Sequence, residues 1–343
     1  MRLLVTGGAG FIGTNFVHYW FDAYPGDEVV VLDKLTYAGH RENLAAFEGD
    51  ARFRFLQGDV CDPQAVREAI RGCQWVVHFA AETHVDRSIL SGGEFIQTDV
   101  FGTFVMLEAA RQEGVERFVQ ISTDEVYGSI PEGYAKETDE LRPSSPYAAS
   151  KAGADRLAYS YFVTYGLPVI ITRASNNYGP YQYPEKLLPF FVTNALQGQP
   201  LPVYGTGQNR RDWLYVKDHC LALDLLLRRG QPGEVYNIGA NNERSVLEVT
   251  EIILDELKKP RSLIRFVEDR PGHDWRYALD CTKIRSLGWA PQHDFETTLR
   301  ATIRWYVENR DWWERAKARS REYFERWYRH RLETGQPKSS AEA

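Results

Sequence analysis

The sequence predicts an α/β fold, a doubly wound parallel sheet followed by a smaller C-terminal α/β lobe, and three observations carry that expectation. Short apolar runs alternate with stretches of helical period through the first half of the chain, the pattern of strands covered on both faces by helices. A glycine-rich turn stands between the first strand and the first helix. After residue 174 the texture changes to dense Pro, Gly, Asn and Tyr, as in Asn176-Asn177-Tyr178-Gly179-Pro180-Tyr181, before shorter elements resume.

Taken in order, strands are expected over Arg2–Thr6, Glu28–Leu32, Arg52–Leu56, Trp75–Ala80, Arg117–Ser122 and Pro168–Thr172, six in all. Six strands complete a doubly wound sheet, with ligand at their carboxyl ends. Helices are expected over Phe11–Tyr24, around Gly102–Gln112 and over Tyr147–Tyr165, the last started by Pro146. Val216–Arg229 is helical and apolar enough to return to the first lobe. The organisation expected is therefore residues 1–174 with a returning segment near 213–240, a second lobe over 175–330, and a flexible tail over 331–343. The charged helix expected over Asp311–Glu333 carries Trp312, Trp313, Phe324 and Trp327, an aromatic stripe that should pack on its own domain.

Composition narrows the function. With 343 residues and 43% hydrophobic content the chain can bury a large core. Lys and Arg total 41 against 47 Asp and Glu, so the formal charge of −6 argues against a nucleic-acid surface. No run approaches the roughly 20 apolar residues of a membrane span, and Met1 leads straight into a strand without signal-peptide design. A cytoplasmic protein is expected. Cys61, Cys73, Cys220 and Cys281 show no CxxC spacing and read as reduced thiols, with no metal expected.

Gly7, Gly10 and Gly13 form GxxGxxG directly after the strand and before the helix. Such glycines let backbone approach a pyrophosphate, whose charge is held by free amides at the helix start. Asp33, 20 residues after Gly13 and at the end of the second strand, can accept both ribose hydroxyls of an adenosine and would repel a 2′-phosphate, favouring NAD. The neighbouring Lys34 weighs slightly the other way. Asp59 reads either as an adenine contact or as a helix-capping acid.

Tyr147 and Lys151, four apart on one helix face, form a YxxxK pair in which the ammonium should favour the phenolate, a base for a sugar hydroxyl. The fifth strand runs into Ser122-Thr123-Asp124-Glu125-Val126-Tyr127-Gly128. Two adjacent carboxylates in a low-dielectric cleft repel and tend to share one proton, so one acid and one base is the natural division.

These residues resemble the extended short-chain dehydrogenase/reductases, and within them the NAD-dependent sugar-nucleotide 4,6-dehydratases. The likeness runs through TGGAGFIGTNF at the start, HFAAETHVDRSI from His78, STDEVYG from Ser122, SPYAASK from Ser145, SNNYGPYQYPEKLLP from Ser175, LPVYGTGQNRRDWLYVKDH from Leu201 and DRPGHDWRY from Asp269. The resemblance implies a Rossmann fold, NAD as cofactor, dTDP-glucose as substrate and a homodimer built through a four-helix bundle. It makes Thr123 a partner of the C4 oxygen beside Tyr147, Lys151 a support for phenolate and nicotinamide ribose, Asp124 the acid for the C6 hydroxyl and Glu125 the base at C5. It places the cofactor on Gly7, Gly10, Phe11, Ile12, Gly13, Asp33, Lys34, Leu35, Thr36, Asp59, Val60, Phe79, Ala80, Ala81, Thr98 and Asn177, besides Tyr147 and Lys151. It places the sugar nucleotide on Thr83, His84, Asn176, Lys186, Leu187, Pro202, Tyr204, Arg211, Arg270 and His273, besides Thr123.

Read from chemistry alone, Lys186 and Arg211 suit a diphosphate and Tyr204 offers a planar face to a pyrimidine. His84 and His273 equally suit structural roles. Asp99 and Val246 stand where the family pattern has Asn, and Trp275 where it has Arg, which bears on the preference for dTDP over UDP or CDP. The competing readings are another NDP-glucose dehydratase using UDP or CDP, a UDP-sugar 4-epimerase or decarboxylase, and a noncatalytic NAD-binding regulator. An epimerase needs Tyr147 and Lys151 but no paired acid and base at 124 and 125, and a regulator should lack one or more of the four.

Overall fold

The computed structural model describes residues 1–319. The expected helix beyond Arg319, with Phe324 and Trp327, and the expected tail 331–343 lie outside the described residues. The chain runs β1 (Arg2–Thr6), α1 (Phe11–Ala23), β2 (Glu28–Asp33), β3 (Phe53–Gln57), α2 (Pro63–Ile70), β4 (Trp75–His78) and α3 (Val85–Leu90). A continuous helical stretch follows, α4 (Gly93–Phe95), a π-helical turn (Ile96–Phe101) and α5 (Gly102–Glu113), then β5 (Arg117–Thr123), α6 (Pro146–Tyr165) and β6 (Val169–Ala174). The second half contains β7 (Asn176–Tyr178), α7 (Leu187–Leu196), β8 (Leu201–Tyr204), β9 (Arg210–Tyr215), α8 (Val216–Arg229) and β10 (Val235–Ile238). It closes with β11 (Glu243–Ser245), α9 (Val246–Glu256), β12 (Ile264–Val267), α10 (Thr282–Ser286), α11 (Phe295–Glu308) and α12 (Arg310–Arg319).

Seven parallel strands form the main sheet in the order β10-β6-β5-β4-β1-β2-β3. Period-two alternation sends Leu3, Val5, Val31, Val77, Val119 and Ile170 to one face and Leu4, Val30, Val76, Phe118 and Val169 to the other, where each set joins its own buried cluster. The order reverses between β1 and β4, which opens a crevice at the strands' carboxyl ends.

The expected sixth strand begins at Val169, because Pro168 has no amide to give the ladder, and it runs on to Ala174. The expected six strands become seven. β10 was missed because Asn237 interrupts its short apolar run, yet that side chain is buried and satisfied, donating to the carbonyls of Ala135 (2.9 Å) and Asp280 (3.2 Å) and accepting from Tyr127 (2.8 Å). The fourth strand stops at His78 rather than Ala80, freeing Phe79–Ala81 to leave the sheet and border the crevice. α8 packs over α1, where the Tyr19 and Tyr24 hydroxyls each donate to Asp224 at 2.6 Å. A separate core, with Tyr178, Leu188, Phe191, Ile253, Leu299 and Tyr306, underlies the C-terminal elements and takes in Trp312 and Trp313. No described helix is long and apolar enough to cross a membrane.

α6 starts at Ser145, whose hydroxyl accepts from the Ala148 amide, with Pro146 in its first turn, and ends on left-handed Gly166. A buried ion pair fastens it to β6: Arg173 Nε donates to Asp155 Oδ2 at 2.9 Å while Arg173 Nη1 reaches the Tyr127 hydroxyl at 2.7 Å. Replacing Arg173 leaves the buried Asp155 carboxylate only the half-exposed guanidinium of Arg156. Arg173→Met is expected to cost ~3–5 kcal/mol in a urea titration, with part recovered in the Arg173→Met/Asp155→Asn double variant.

Candidate active site

β1 enters the glycine turn with Gly7 at φ +68°, where a Cβ would stand 2.7 Å from the Ala80 nitrogen. A Cβ on Gly13 would lie 2.3 Å from the Gly7 carbonyl. Gly10 caps α1 without a side-chain bond, leaving the first amides directed at the crevice. Asp33 accepts from the Ala9 amide at 2.9 Å and from the Leu35 amide at 2.8 Å, which orients its carboxylate at the rim. Lys34 is paired with Asp59 at 2.7 Å, and Asp59 also caps the Cys61 amide at 2.9 Å. The cation set against NAD in the sequence is thus engaged by a neighbouring carboxylate. A glycine cradle, free helix amides and a terminal acid fit a dinucleotide without a 2′-phosphate.

β5 delivers Thr123, Asp124 and Glu125 to the same edge. Thr123 Oγ1 donates to Asp124 Oδ1 at 3.1 Å and accepts from the Glu125 amide at 3.3 Å, capping the 3₁₀ turn Asp124–Tyr127. Asp124 is 3% exposed, and its Oδ2 has no hydrogen-bond partner among the described residues. Burial, then the charge of Glu125, pushes its carboxyl well above the ordinary aspartate range. Glu125 is also raised by burial, but Arg270, Lys186 and Arg211 oppose that shift. The environment therefore divides the pair, with Asp124 the holder of the proton and Glu125 the carboxylate faced by cations.

Tyr147 and Lys151 are buried on the first turns of α6. Here the structure corrects the sequence reading. Burial, then the charges of Glu125, Asp99 and Asp124, pushes the Tyr147 phenol well above its ordinary value, with Thr123 opposing. Lys151 does not offset this, because its ammonium donates to the Ile121 carbonyl at 2.7 Å and is itself lowered by burial. The protein alone holds Tyr147 protonated.

Two cavities, of about 280 Å³ and 150 Å³, meet at Glu125, Asn176 and Lys186. The larger is bordered by Gly7, Gly10, Phe11, Ile12, Gly13, Asp33, Lys34, Thr36, Asp59, Val60, Phe79, Ala80, Ala81, Thr83, Thr98, Asn177 and the five residues Thr123, Asp124, Glu125, Tyr147 and Lys151. The smaller is bordered by His84, Leu187, Pro202, Tyr204, Arg211, Arg270 and His273. Leu35 borders neither: at φ +58° its side chain packs on the sheet core while only its amide serves the rim, through Asp33.

Sequence reasoning missed Tyr277 and Asp86. The Tyr277 hydroxyl donates to Asp274 at 2.8 Å and stands 3.4 Å from a Glu125 carboxyl oxygen, under the Arg211 guanidinium. It closes the DRPGHDWRY run, a signal that was present. Asp86 ties Tyr204 (3.0 Å) to Arg270 (3.2 Å) across the smaller cavity. His84 Nε2 meets the Glu185 carbonyl at 3.0 Å. Of the three departures, Asp99 is buried and accepts from the Glu82 amide and the Ser150 hydroxyl, Val246 borders the smaller cavity, and Trp275 is exposed. Among the described residues no group of three His, Cys, Asp or Glu side chains is disposed to hold a metal ion, and all four cysteines are free.

A family model described as GDP-mannose 4,6 dehydratase matches residues 4–302. The dTDP-glucose 4,6-dehydratase of Streptomyces niveus is 52% identical over 323 residues, covering 93% of this chain and 96% of that protein. The crystal structure of the dTDP-glucose 4,6-dehydratase DesIV of Streptomyces venezuelae, with NAD bound, superposes with a TM-score of 0.90 at 54% identity, over 92% of this chain and 100% of that one. A UDP-glucose 4-epimerase of Thermus thermophilus, also with NAD, gives a TM-score of 0.83 at 34% identity, over 90% of this chain and 100% of that one. With the glycine cradle, the Tyr147–Lys151 pair and the divided carboxyls on one crevice, the chain belongs to the GDP-mannose 4,6 dehydratase family of sugar-nucleotide enzymes.

Proposed function

We propose that this protein is a dTDP-glucose 4,6-dehydratase, an NAD-dependent hydro-lyase that turns dTDP-glucose into dTDP-4-keto-6-deoxyglucose and water. The observation that carries the reading is the unequal environment of Asp124 and Glu125 beside Tyr147. The relatives at 52% and 54% identity bear the same name.

Tyr147 and Thr123 take the C4 hydroxyl, with Tyr147 receiving its proton. Glu125 removes the C5 proton, which is acidic only once C4 is a ketone, and returns a proton to C5 when C6 is reduced. Asp124 gives its proton to the C6 hydroxyl, which leaves as water. NAD, when bound on the glycine cradle and Asp33, supplies the hydride acceptor for C4, the donor at C6 and the positive charge that this pocket does not itself give Tyr147. Lys186, Arg211 and Arg270 face the smaller cavity, where they suit a diphosphate and oppose the rise that burial imposes on Glu125. A 4-epimerase needs neither carboxyl, and a noncatalytic regulator has no use for a protonated acid next to a base.

We assign residues 1–174, with 213–240 returning, to the NAD domain, and 175–330, of which 320–330 lie outside the described residues, to the sugar-nucleotide lobe. We read the chain as a cytoplasmic homodimer. Ile96, Phe101 and Phe104 on the π turn and α5, and Tyr159, Val163 and Tyr165 on α6, are exposed, an apolar face that suits a four-helix bundle between subunits.

Substrate deuterated at C4 is expected to give product deuterated at C6, and turnover in heavy water to give product deuterated at C5, with no net NADH. Label retained at C4 would contradict the dehydratase reading. Asp124→Asn should slow water loss by about 100-fold to 10,000-fold, while Glu125→Gln should abolish exchange at C5, both read by mass spectrometry.

The same burial predicts a stability effect. In the folded protein Asp124 keeps a proton that the unfolded chain releases, so stability falls as pH rises above the ordinary aspartate value. Asp124→Asn removes that loss and should raise Tm by ~2–4 °C at mildly alkaline pH, with little change in acid, by calorimetry.

A further inference from the structure

Trp312 of α12, the last described helix, has no part in the chemistry above, yet through Asn43 it is linked to the nucleotide turn. Ala9 lies at the centre of that turn between Gly8 and Gly10, so its own neighbours restrain its peptide weakly. Its amide donates to Asp33 Oδ2 at 2.9 Å. Its carbonyl accepts from the His40 amide at 2.9 Å and from Asn43 Nδ2 at 3.2 Å.

Both of those partners are gripped by α12. Trp312 Nε1 donates to Asn43 Oδ1 at 2.8 Å, and Arg319 Nη1 meets His40 Nδ1 at 3.1 Å. The Trp312 ring centre lies 5.6 Å from that of His40. Trp312, Asn43 and His40 are all buried, so water cannot readily replace a bond removed here. Burial holds His40 down to about 4, leaving at neutral pH a neutral ring whose Nδ1 can accept from Arg319.

We infer that Trp312 is a positioning residue for the cofactor: through Asn43 it fixes the Ala9 carbonyl, and so holds in place the residue whose amide positions Asp33 where the adenosine ribose is taken, which slows release of NAD. The inference rests on the NAD reading above. It gives the C-terminal helix a task suited to an enzyme that oxidises and reduces its cofactor in place.

Trp313 supplies a matched control. Its Nε1 donates at 2.8 Å to the Tyr306 carbonyl, from the same helix and also buried; Tyr306 meets the larger cavity only through Gln182, whose carbonyl accepts from its hydroxyl at 2.6 Å, and has no hydrogen bond to the Ala9 turn among the described residues. Holoenzyme loaded with labelled NAD is chased with excess unlabelled NAD, and Tm is measured in parallel. Trp312→Phe should lose label about 3- to 10-fold faster, the scale of one neutral hydrogen bond, with activity lost on dilution and restored by added NAD. Trp313→Phe should lower Tm comparably and leave the NAD release rate unchanged. Asn43→Asp keeps the acceptor for Trp312 but sets an oxygen against the Ala9 carbonyl. It should release NAD at least as fast as Trp312→Phe, and it decides the matter if the latter does not fold. Unchanged release in Trp312→Phe and Asn43→Asp, or equal acceleration in Trp312→Phe and Trp313→Phe, would overturn the inference. An unmutated protein that carries and binds no NAD would overturn the cofactor reading itself, and that failure is visible without any variant.

Discussion

Two neighbouring carboxyl groups at the end of β5 cannot both carry charge in a cleft from which water is largely excluded, and the rest of the site is arranged around that constraint. Asp124 is buried with one oxygen unpartnered among the described residues, whereas Glu125 is met by the fields of Lys186, Arg211 and Arg270. Those cations lie in residues 186–270, so a pair carried by the end of β5 feels charges from residues far along the chain.

The topology explains why the pieces meet. β6 runs beside β5 and continues past Ser175 into β7, so a single passage of chain brings Asn176 and Asn177 from the large sheet to the smaller one. Arg87 of α3 pairs with buried Glu185 on both carboxylate oxygens, linking the segment after β4 to the segment that carries Lys186. α12 adds a third tie through Trp312 and Asn43. Each tie joins segments distant in the chain close to one of the cavities, so loss of these contacts and loss of ligand should accompany each other.

What was legible in the sequence is what depends on local pattern. The glycine turn, Asp33, the alternating strands and the helix carrying Tyr147 and Lys151 are each set by residues within a turn or a strand of one another, and they lie where spacing put them. What was hidden depends on partners distant in the chain. β10 was obscured by Asn237, whose polar atoms are satisfied from three remote segments. Tyr277 reaches Glu125 across 152 positions of sequence. The effect of Lys151 on Tyr147 was misjudged because i to i+4 spacing shows that two groups share a helix face but not that the ammonium is drawn to the Ile121 carbonyl. Leu35 shares the rim segment with Asp33 and Thr36, but a positive φ turns its side chain into the core.

Acid–base division at this site requires that the two carboxyls lose their protons in a definite order. Carboxyl carbon NMR of the NAD-bound protein, labelled in Asp and Glu and assigned with Asp124→Asn and Glu125→Gln, follows that order directly as the coupled pair titrates. The account predicts that Glu125 ionises first, at the lower pH, and that Asp124 still carries its proton at neutral pH. Ionisation of Asp124 before Glu125, or of both well below neutral pH, would contradict it.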